Sequence, residues 1–359
     1  MTSPEDLIAR VSQRVERFVD GQRAEYDEFG GEALTLIDAG ARACAGGKRL
    51  RARFCAAGWS AVSGVPAVLP DAVVTVSAAL EVFQAAALVH DDIIDNSDTR
   101  RGSPSAHRHL EGSHRDLRWA GDAATFGRSG AVLLGDLLVA WSDDLLEEGL
   151  AAAQTASAVR SEYARMRRDV TVGQFLDVAE EAAYVTAPAD EHAERALRIA
   201  SLKSARYSIQ QPLVIGAALA GADAAQLDAL RAFGHPIGLA FQLRDDILGV
   251  FGDSAVTGKP SGDDLREGKR TLLIAYTRET LDRRALAEFD ALMGEPSLDE
   301  DQVAALQRTI VASGARDRVE GRITAWVAEA AGALDGAALD AQAVAELHDL
   351  AQVATARAS

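Results

Sequence analysis

Cysteine is nearly absent from this chain. Two occur in 359 residues, Cys44 and Cys55, and they lack CxxC spacing. That excludes a disulfide framework and makes a reducing compartment the default, with both thiols expected as buried packing groups. Aromatic residues are only 5% of the chain, and alternating Val/Ile-rich runs bounded by turn residues are scarce, which argues against a strand-based fold. Lysine is scarcer still. Of 37 basic residues only Lys48, Lys203, Lys259 and Lys269 are lysine. The remaining arginines reflect a coding bias that supplies arginine wherever a surface cation will do, so the four lysines mark places where a compact, rotatable ammonium matters. Net positive charge is lacking altogether. The formal charge of −17 argues against a nucleic-acid or anionic-membrane binder, and any phosphate site must be local. The N-terminus, with Glu5 and Asp6, shows no basic segment leading into an apolar run, and no window approaches 18 uncharged apolar residues. Neither a signal peptide nor a transmembrane helix is predicted. The expectation is a soluble, cytoplasmic protein.

What is present is helical periodicity, in an alanine- and leucine-rich sequence of good helix formers. The pattern predicts helices over 4–27, 31–44, 49–63, 71–96, 128–148, 152–182, 189–221, 224–250, 271–292, 300–312, 315–332 and 340–356. Several far exceed the usual mean of about 12 residues, which points to an all-α protein built as a large helical bundle. Two polar stretches, 97–127 and 252–268, read as irregular. No linker or internal repeat breaks the chain, so residues 1–359 are expected to form one domain.

Each polar stretch follows an aspartate-rich segment. The first is Asp91-Asp92-Ile93-Ile94-Asp95. On a helix, Asp91 and Asp95 project from one face about 6 Å apart. A helix C-terminus disfavours negative charge, so three aspartates there call for cations, and hard oxygen ligands suit Mg²⁺ shared with a substrate phosphate. The second is Asp245-Asp246 within Phe241-Gln242-Leu243-Arg244 and an apolar continuation. Carboxylates in so apolar a setting hold either a metal or a core ion pair with Arg244. Cations recur at intervals: Gly46-Gly47-Lys48-Arg49-Leu50-Arg51 at a helix start, Arg100-Arg101-Gly102 after the first cluster, Lys203 beside Ser204, and Gly258-Lys259 and Gly268-Lys269 after the second. Each is a plausible phosphate contact.

Taken together, GGKRLR (46–51), EVFQAAALVHDDIIDNSDTRRG (81–102), GQFLD (173–177), LKS (202–204), FQLRDD (241–246) and TGKPSGDDLREGKRT (257–271) make the chain resemble the trans-type prenyl diphosphate synthases. Six ordered motifs covering nearly the whole chain carry that resemblance. It implies an all-α isoprenoid-synthase bundle, acting as a homodimer, that condenses an allylic diphosphate with isopentenyl diphosphate. Asp91, Asp95 and Asp245 match the family's Mg²⁺ ligands, three ions per site, with Asp92, Asp246 and Asp177 in support. Arg100, Lys203 and Lys259 match contacts to the allylic diphosphate, with Lys269 nearby. Lys48, Arg51, Gln84 and Arg101 match the isopentenyl diphosphate site, and Ser204 and Gln242 face the allylic cation. Three positions depart from the family pattern: Gly249 replaces a third aspartate, Gln84 a histidine and Ser204 a threonine.

No side chain near these motifs stands out as a general base, and the resemblance assigns that role to released pyrophosphate. His90 reads as a packed histidine, and His107, His109 and His114 as loop residues. For product length, Ala86 and Ala87 are too small to stop a growing chain, while Phe83, three residues deeper and about 4.5 Å away along the helix, forms a floor one isoprene unit further down. The expected product is geranylgeranyl diphosphate. A farnesyl or longer product, a class I terpene cyclase and a non-catalytic partner subunit are the alternatives.

Overall fold

The structure is a computed structural model and describes residues 4–252 and 261–356. Lys259 and Gly258 lie outside the described residues. The chain is helical almost throughout, in the order α1 (Pro4–Tyr26), α2 (Gly31–Cys44), α3 (Leu50–Ser63), α4 (Asp71–Ile94), a two-residue hairpin of β1 (Thr99–Arg100) and β2 (Ser103–Pro104), α5 (Ala106–Asp116), α6 (Ala123–Leu150) and α7 (Ala156–Ala183). The second half holds α8 (His192–Ile199), α9 (Gln211–Leu219), α10 (Ala224–Phe251), α11 (Asp263–Glu267), α12 (Leu272–Thr280), α13 (Arg283–Leu292), α14 (Glu300–Ala312), α15 (Ala315–Ala333) and α16 (Ala341–Thr355).

Caps explain why helix boundaries were legible. Asp223 and Gln226 form a reciprocal capping box at the start of α10, and Asp299 and Gln302 do the same for α14. Each satisfies N-terminal amides that would otherwise lack partners. α4 is the central rod. Its residues Val73 to Phe83 are buried in succession, which requires an element apolar all round rather than on one stripe. α3 crosses α9 in backbone contact: a Cβ on Gly58 would lie 2.0 Å from the Leu213 carbonyl oxygen, and one on Gly216 1.8 Å from that of Cys55. Both cysteines are buried, as expected.

Several expectations need correction. The stretch 97–127 contains α5, so His107 and His114 are buried helix residues and not loop groups. Its many polar residues disguised it, because they include four side chains that pair locally: Arg108 with Asp98 and Glu111, and Arg115 with Glu111. The span 271–292 breaks at Leu281 and Asp282, whose carboxylate caps α13. The rod 189–221 widens at Ala200–Gln210 into a π-helix between α8 and α9. Finally, α4 and α6 are long and apolar enough to cross a bilayer by length and composition. In α4, 78% of the relevant window is buried by the bundle, so its apolarity serves the core.

Candidate active site

The C-terminal end of α4 and the C-terminal third of α10 converge on one cleft. Asp91 and Asp246 line a pocket of about 150 Å³ together with Lys203, Ser204, Gln242 and Lys269. Residues separated by as much as 178 positions therefore share one small space. The π-helical segment brings Lys203 and Ser204 there, and it is held at backbone distance from both sides. A Cβ on Gly173 of α7 would lie 2.4 Å from the Lys203 nitrogen, and one on Gly238 of α10 2.4 Å from the Ala205 oxygen. Wider windings of this kind are frequent at functional sites.

Carboxylates and cations are interleaved. Asp91 Oδ1 accepts a hydrogen bond from Gln174 at 3.0 Å and lies 3.3 Å from Lys203 Nζ, while Lys203 donates to Asp177 at 2.5 Å. Asp92 is buried behind Asp91 and takes the Arg100 guanidinium, with Nε at 2.9 Å. Lys269 bridges Glu267 at 2.8 Å, Asp264 at 3.7 Å and Asp95 at 4.0 Å. Gln242 donates to Asp246 at 2.7 Å. Asp245 is half-buried on the same turn but does not line the small pocket. Arg244 turns away to Glu320, so the core ion pair considered for the second cluster is not made by Arg244.

Burial and neighbouring charge divide the carboxylates of the site. Burial alone would raise Asp91, but Lys203, Lys269 and Arg100 outweigh it and hold its carboxyl below the usual range. Burial, with Asp91 adding, pushes Asp95 up to about 6. Burial pushes Asp246 up to about 8, against the bond from Gln242 and with Asp264 and Asp245 adding. Buried carboxylates held partly protonated are a donor set that divalent cations would complete. Among the described residues no three carboxylates form a ready-made cage. Mg²⁺ is bound by hard oxygen donors, one or two carboxylates plus phosphate oxygens, and the carboxylates of Asp91, Asp95 and Asp246 are of that type.

A second group gathers around the start of α3. Arg51 donates to Ser208 at 2.6 Å and stacks 4.1 Å over the Tyr207 ring, whose hydroxyl donates to Gln84 at 2.5 Å. Arg101 bonds the Ala45 carbonyl at 2.9 Å and lies against Gly47, whose φ of +89° and missing side chain let the guanidinium close in. Lys48 is exposed beside it. Arg49 points the opposite way, into a buried contact with Glu81.

Comparisons with known proteins give the family. The sequence model of the family described as polyprenyl synthetase matches residues 35–310. The chain belongs to the polyprenyl synthetase family. It is a prenyltransferase of the prenyl diphosphate synthase group. It is 33% identical over 310 residues to geranylfarnesyl diphosphate synthase of Aeropyrum pernix, covering 85% of this chain and 86% of that one. It is 30% identical to geranylgeranyl diphosphate synthase of Methanosarcina mazei, over 81% and 80% of the two chains. A solved structure of geranylgeranyl pyrophosphate synthase from Corynebacterium glutamicum, complexed with isoprenyl diphosphate and magnesium, superposes with a TM-score of 0.93 and 36% identity, covering 99% of this chain and all of that one.

In this polyprenyl synthetase the structure brings together Asp91, Lys203, Ser204, Gln242, Asp246 and Lys269, and separately Arg51 and Gln84. Sequence reasoning missed Gln174, Tyr207, Ser208 and Asp264. The first sits in the GQFLD motif and the next two lie one turn beyond LKS, so proximity to a motif was the available signal. Asp264 lies within the stretch TGKPSGDDLREGKRT, yet nothing local ties it to Gly249. A Cβ on Gly249 would lie 2.0 Å from its Oδ2, so the Asp264 carboxylate takes the space left by the missing side chain. A third acid is present at that place, supplied by α11.

Below Asp91 a cavity of about 1010 Å³ runs between α4 and α7, lined by Ala87, Ala86 and Phe83. His90 stands at its rim, its Nε2 3.3 Å from the Val132 carbonyl.

Proposed function

We propose that this enzyme condenses an allylic diphosphate with isopentenyl diphosphate to give geranylgeranyl diphosphate. The carrying observation is that Asp91 and Asp246 face one pocket with Lys203 and Lys269, directly above an apolar cavity. Asp91, Asp95 and Asp245 hold the metal, with Asp92, Asp177 and Asp246 behind them. Arg100, Lys203, Lys259 and Lys269 hold the allylic diphosphate, and Lys48, Arg51, Gln84 and Arg101 the isopentenyl diphosphate. Three Mg²⁺ ions, when bound, supply charge that stabilises pyrophosphate as it departs.

The protein's own groups do the rest. Lys203 and Lys269 move from their carboxylate partners onto the diphosphate. The allylic C–O bond breaks, and the π-helical segment with Ser204 and Gln242 bounds the resulting cation in a space that excludes water. Tyr207 orients Gln84, and Arg51 fixes the second diphosphate so that its double bond meets the cation. A C–C bond forms, a proton leaves, and released pyrophosphate accepts it.

Product length follows from depth. Phe83 lies eight residues, or about 12 Å, below Asp91 along α4, and about one isoprene unit deeper than Ala86. It is backed by Tyr163 and Tyr207, with ring centroids at 6.2 and 5.8 Å. A homodimer is supported by exposed Val132 and Leu133 on α6 and Val172 and Phe175 on α7, an apolar flank suited to a second copy. The enzyme acts in the cytoplasm as one domain.

The test is incubation of pure protein with Mg²⁺, isopentenyl diphosphate and each allylic diphosphate, followed by sizing of products. Asp91→Ala abolishes turnover, and Phe83→Ala lengthens the product. Retained activity in the first variant overturns the catalytic assignment, and unchanged length in the second removes Phe83 as the floor.

A further inference from the structure

The cavity below Asp91 is not closed by Phe83 alone. Its α7 wall is registered with α4 by the hydrogen bond from Gln174 to Asp91, and it descends through Val170 to Arg167. Seven residues separate Arg167 from Gln174, about 10.5 Å along the helix, so Arg167 lies at nearly the depth of Phe83. Most of the deep lining is apolar, and a guanidinium there needs a reason.

Arg167 is also fixed in place. Its Nη1 donates to both carboxylate oxygens of Asp143, at 2.6 and 2.7 Å. The guanidinium carbon lies 5.1 Å from the centroid of the Tyr163 ring. Tyr163 is fully buried, bonded to Ser142, and meets Phe83 edge to face. Asp143 stands one turn beyond Val139, the residue through which α6 lines the cavity. Phe83, Tyr163, Arg167 and Asp143 therefore form one barrier reaching from α4 through α7 to α6.

Its two ends work differently. Phe83 blocks by bulk. The Arg167–Asp143 pair stands at the open flank, with side chains 32% and 44% exposed. A prenyl chain leaving the cavity there would strip water from both charges and return no hydrogen bond. Pushing Arg167 aside would also break its bonds to Asp143 and its stacking on Tyr163.

We propose that Arg167, pinned by Asp143, is a second chain-length determinant that closes the flank of the cavity where a growing product would pass Phe83. This rests on the reading that the cavity holds the product chain. The two are separable by experiment.

Arg167→Leu, Arg167→Lys, Phe83→Ala and the double variant Phe83→Ala/Arg167→Leu are incubated with Mg²⁺, farnesyl diphosphate and excess isopentenyl diphosphate, and products are sized by mass spectrometry. Arg167→Leu moves the longest abundant product up by at least one isoprene unit, Arg167→Lys keeps the parent length, and the double variant exceeds both single changes. Parent-length product from Arg167→Leu overturns the proposal. If Phe83→Ala lengthens the product while Arg167→Leu does not, the cavity reading stands and the role of Arg167 falls. If neither lengthens it, both fall. Should Arg167→Leu fail to fold, Arg167→Gln removes the charge while keeping a polar group, and parent-length product from it is equally decisive against the proposal.

Discussion

Arg49 lies in the same motif as Lys48 and Arg51, yet its side chain is directed into the core. Its backbone is left-handed, with φ of 49°, and its guanidinium is only 5% exposed. It donates to the Cys44 carbonyl at 2.9 Å and lies 3.8 Å from Glu81 on α4. Glu81, 6% exposed, also accepts the Ala52 amide at 3.0 Å and so satisfies the start of α3. The contact therefore anchors the loop that carries Lys48, and the start of α3 that carries Arg51, to the central helix. Glu81→Gln keeps an acceptor for Ala52 but leaves a buried guanidinium without its counter-charge. Breaking a buried pair from one side costs about 3–5 kcal/mol. Because Arg49 retains the Cys44 carbonyl, the lower end applies, about 3 kcal/mol. At roughly 2 °C per kcal/mol for a chain of this size, Tm falls by about 6 °C. Replacing both residues by leucine recovers much of that loss, since the uncompensated charge is gone. The assays are thermal unfolding of the three proteins, and KM for each substrate. KM for isopentenyl diphosphate rises while KM for the allylic diphosphate stays near the parent value. Glu81→Gln with unchanged Tm and unchanged KM refutes the anchoring role.

Three further outcomes follow from the packing and the charges. Asp246 in the metal-free protein has its pKa raised by burial from 3.8 to about 8. The folded state thus holds a proton that the unfolded state releases, and this stabilisation, complete below pH 4, is lost as pH rises through about 8. In EDTA, the slope of Tm against pH over that range should be shallower in Asp246→Asn than in the parent, and parallel curves would sink the assignment. Gly216→Ala places a methyl 1.8 Å from the Cys55 carbonyl oxygen and should cost at least about 1–3 kcal/mol by urea denaturation, whereas unchanged stability would show that α3 and α9 can separate freely. Gly249→Asp, which restores the family's usual aspartate, drives a second carboxylate into the Asp264 side chain. It is expected to lower both Tm and turnover, and a gain in turnover would show that Asp264 does not fill that place.

How much was legible depended on whether a signal was local. α2 and α14 match the predicted spans of 31–44 and 300–312 because helix period and end signals coincide in a short stretch. α5 was missed because its polar residues are satisfied by Asp98 and by one another, so its apolar stripe is thin. The break at Leu281 was missed for a related reason: Asp282 marks a new helix only once its carboxylate is seen to cap Arg284 and Ala285. In the site, the aspartates and lysines carried their own signal through charge placed in apolar surroundings. Tyr207 and Gln174 carried only their nearness to a motif, since a tyrosine or glutamine on a helix is unremarkable until its partner is known.

The sequence by itself determined the helical class, the two acidic segments and the cations set to answer them, because helix period, charge cost and motif spacing act over a few residues. Only the tertiary structure decided which way those side chains turn. Arg49 goes to Glu81 while Arg51 goes to Ser208, and Asp264 fills the space at Gly249. It also set a tyrosine and an ion pair beside Phe83 at the bottom of the cavity. Those outcomes depend on which helices cross at backbone distance, as at Gly58, Gly173 and Gly216, and close packing between residues far apart in the chain leaves no local trace.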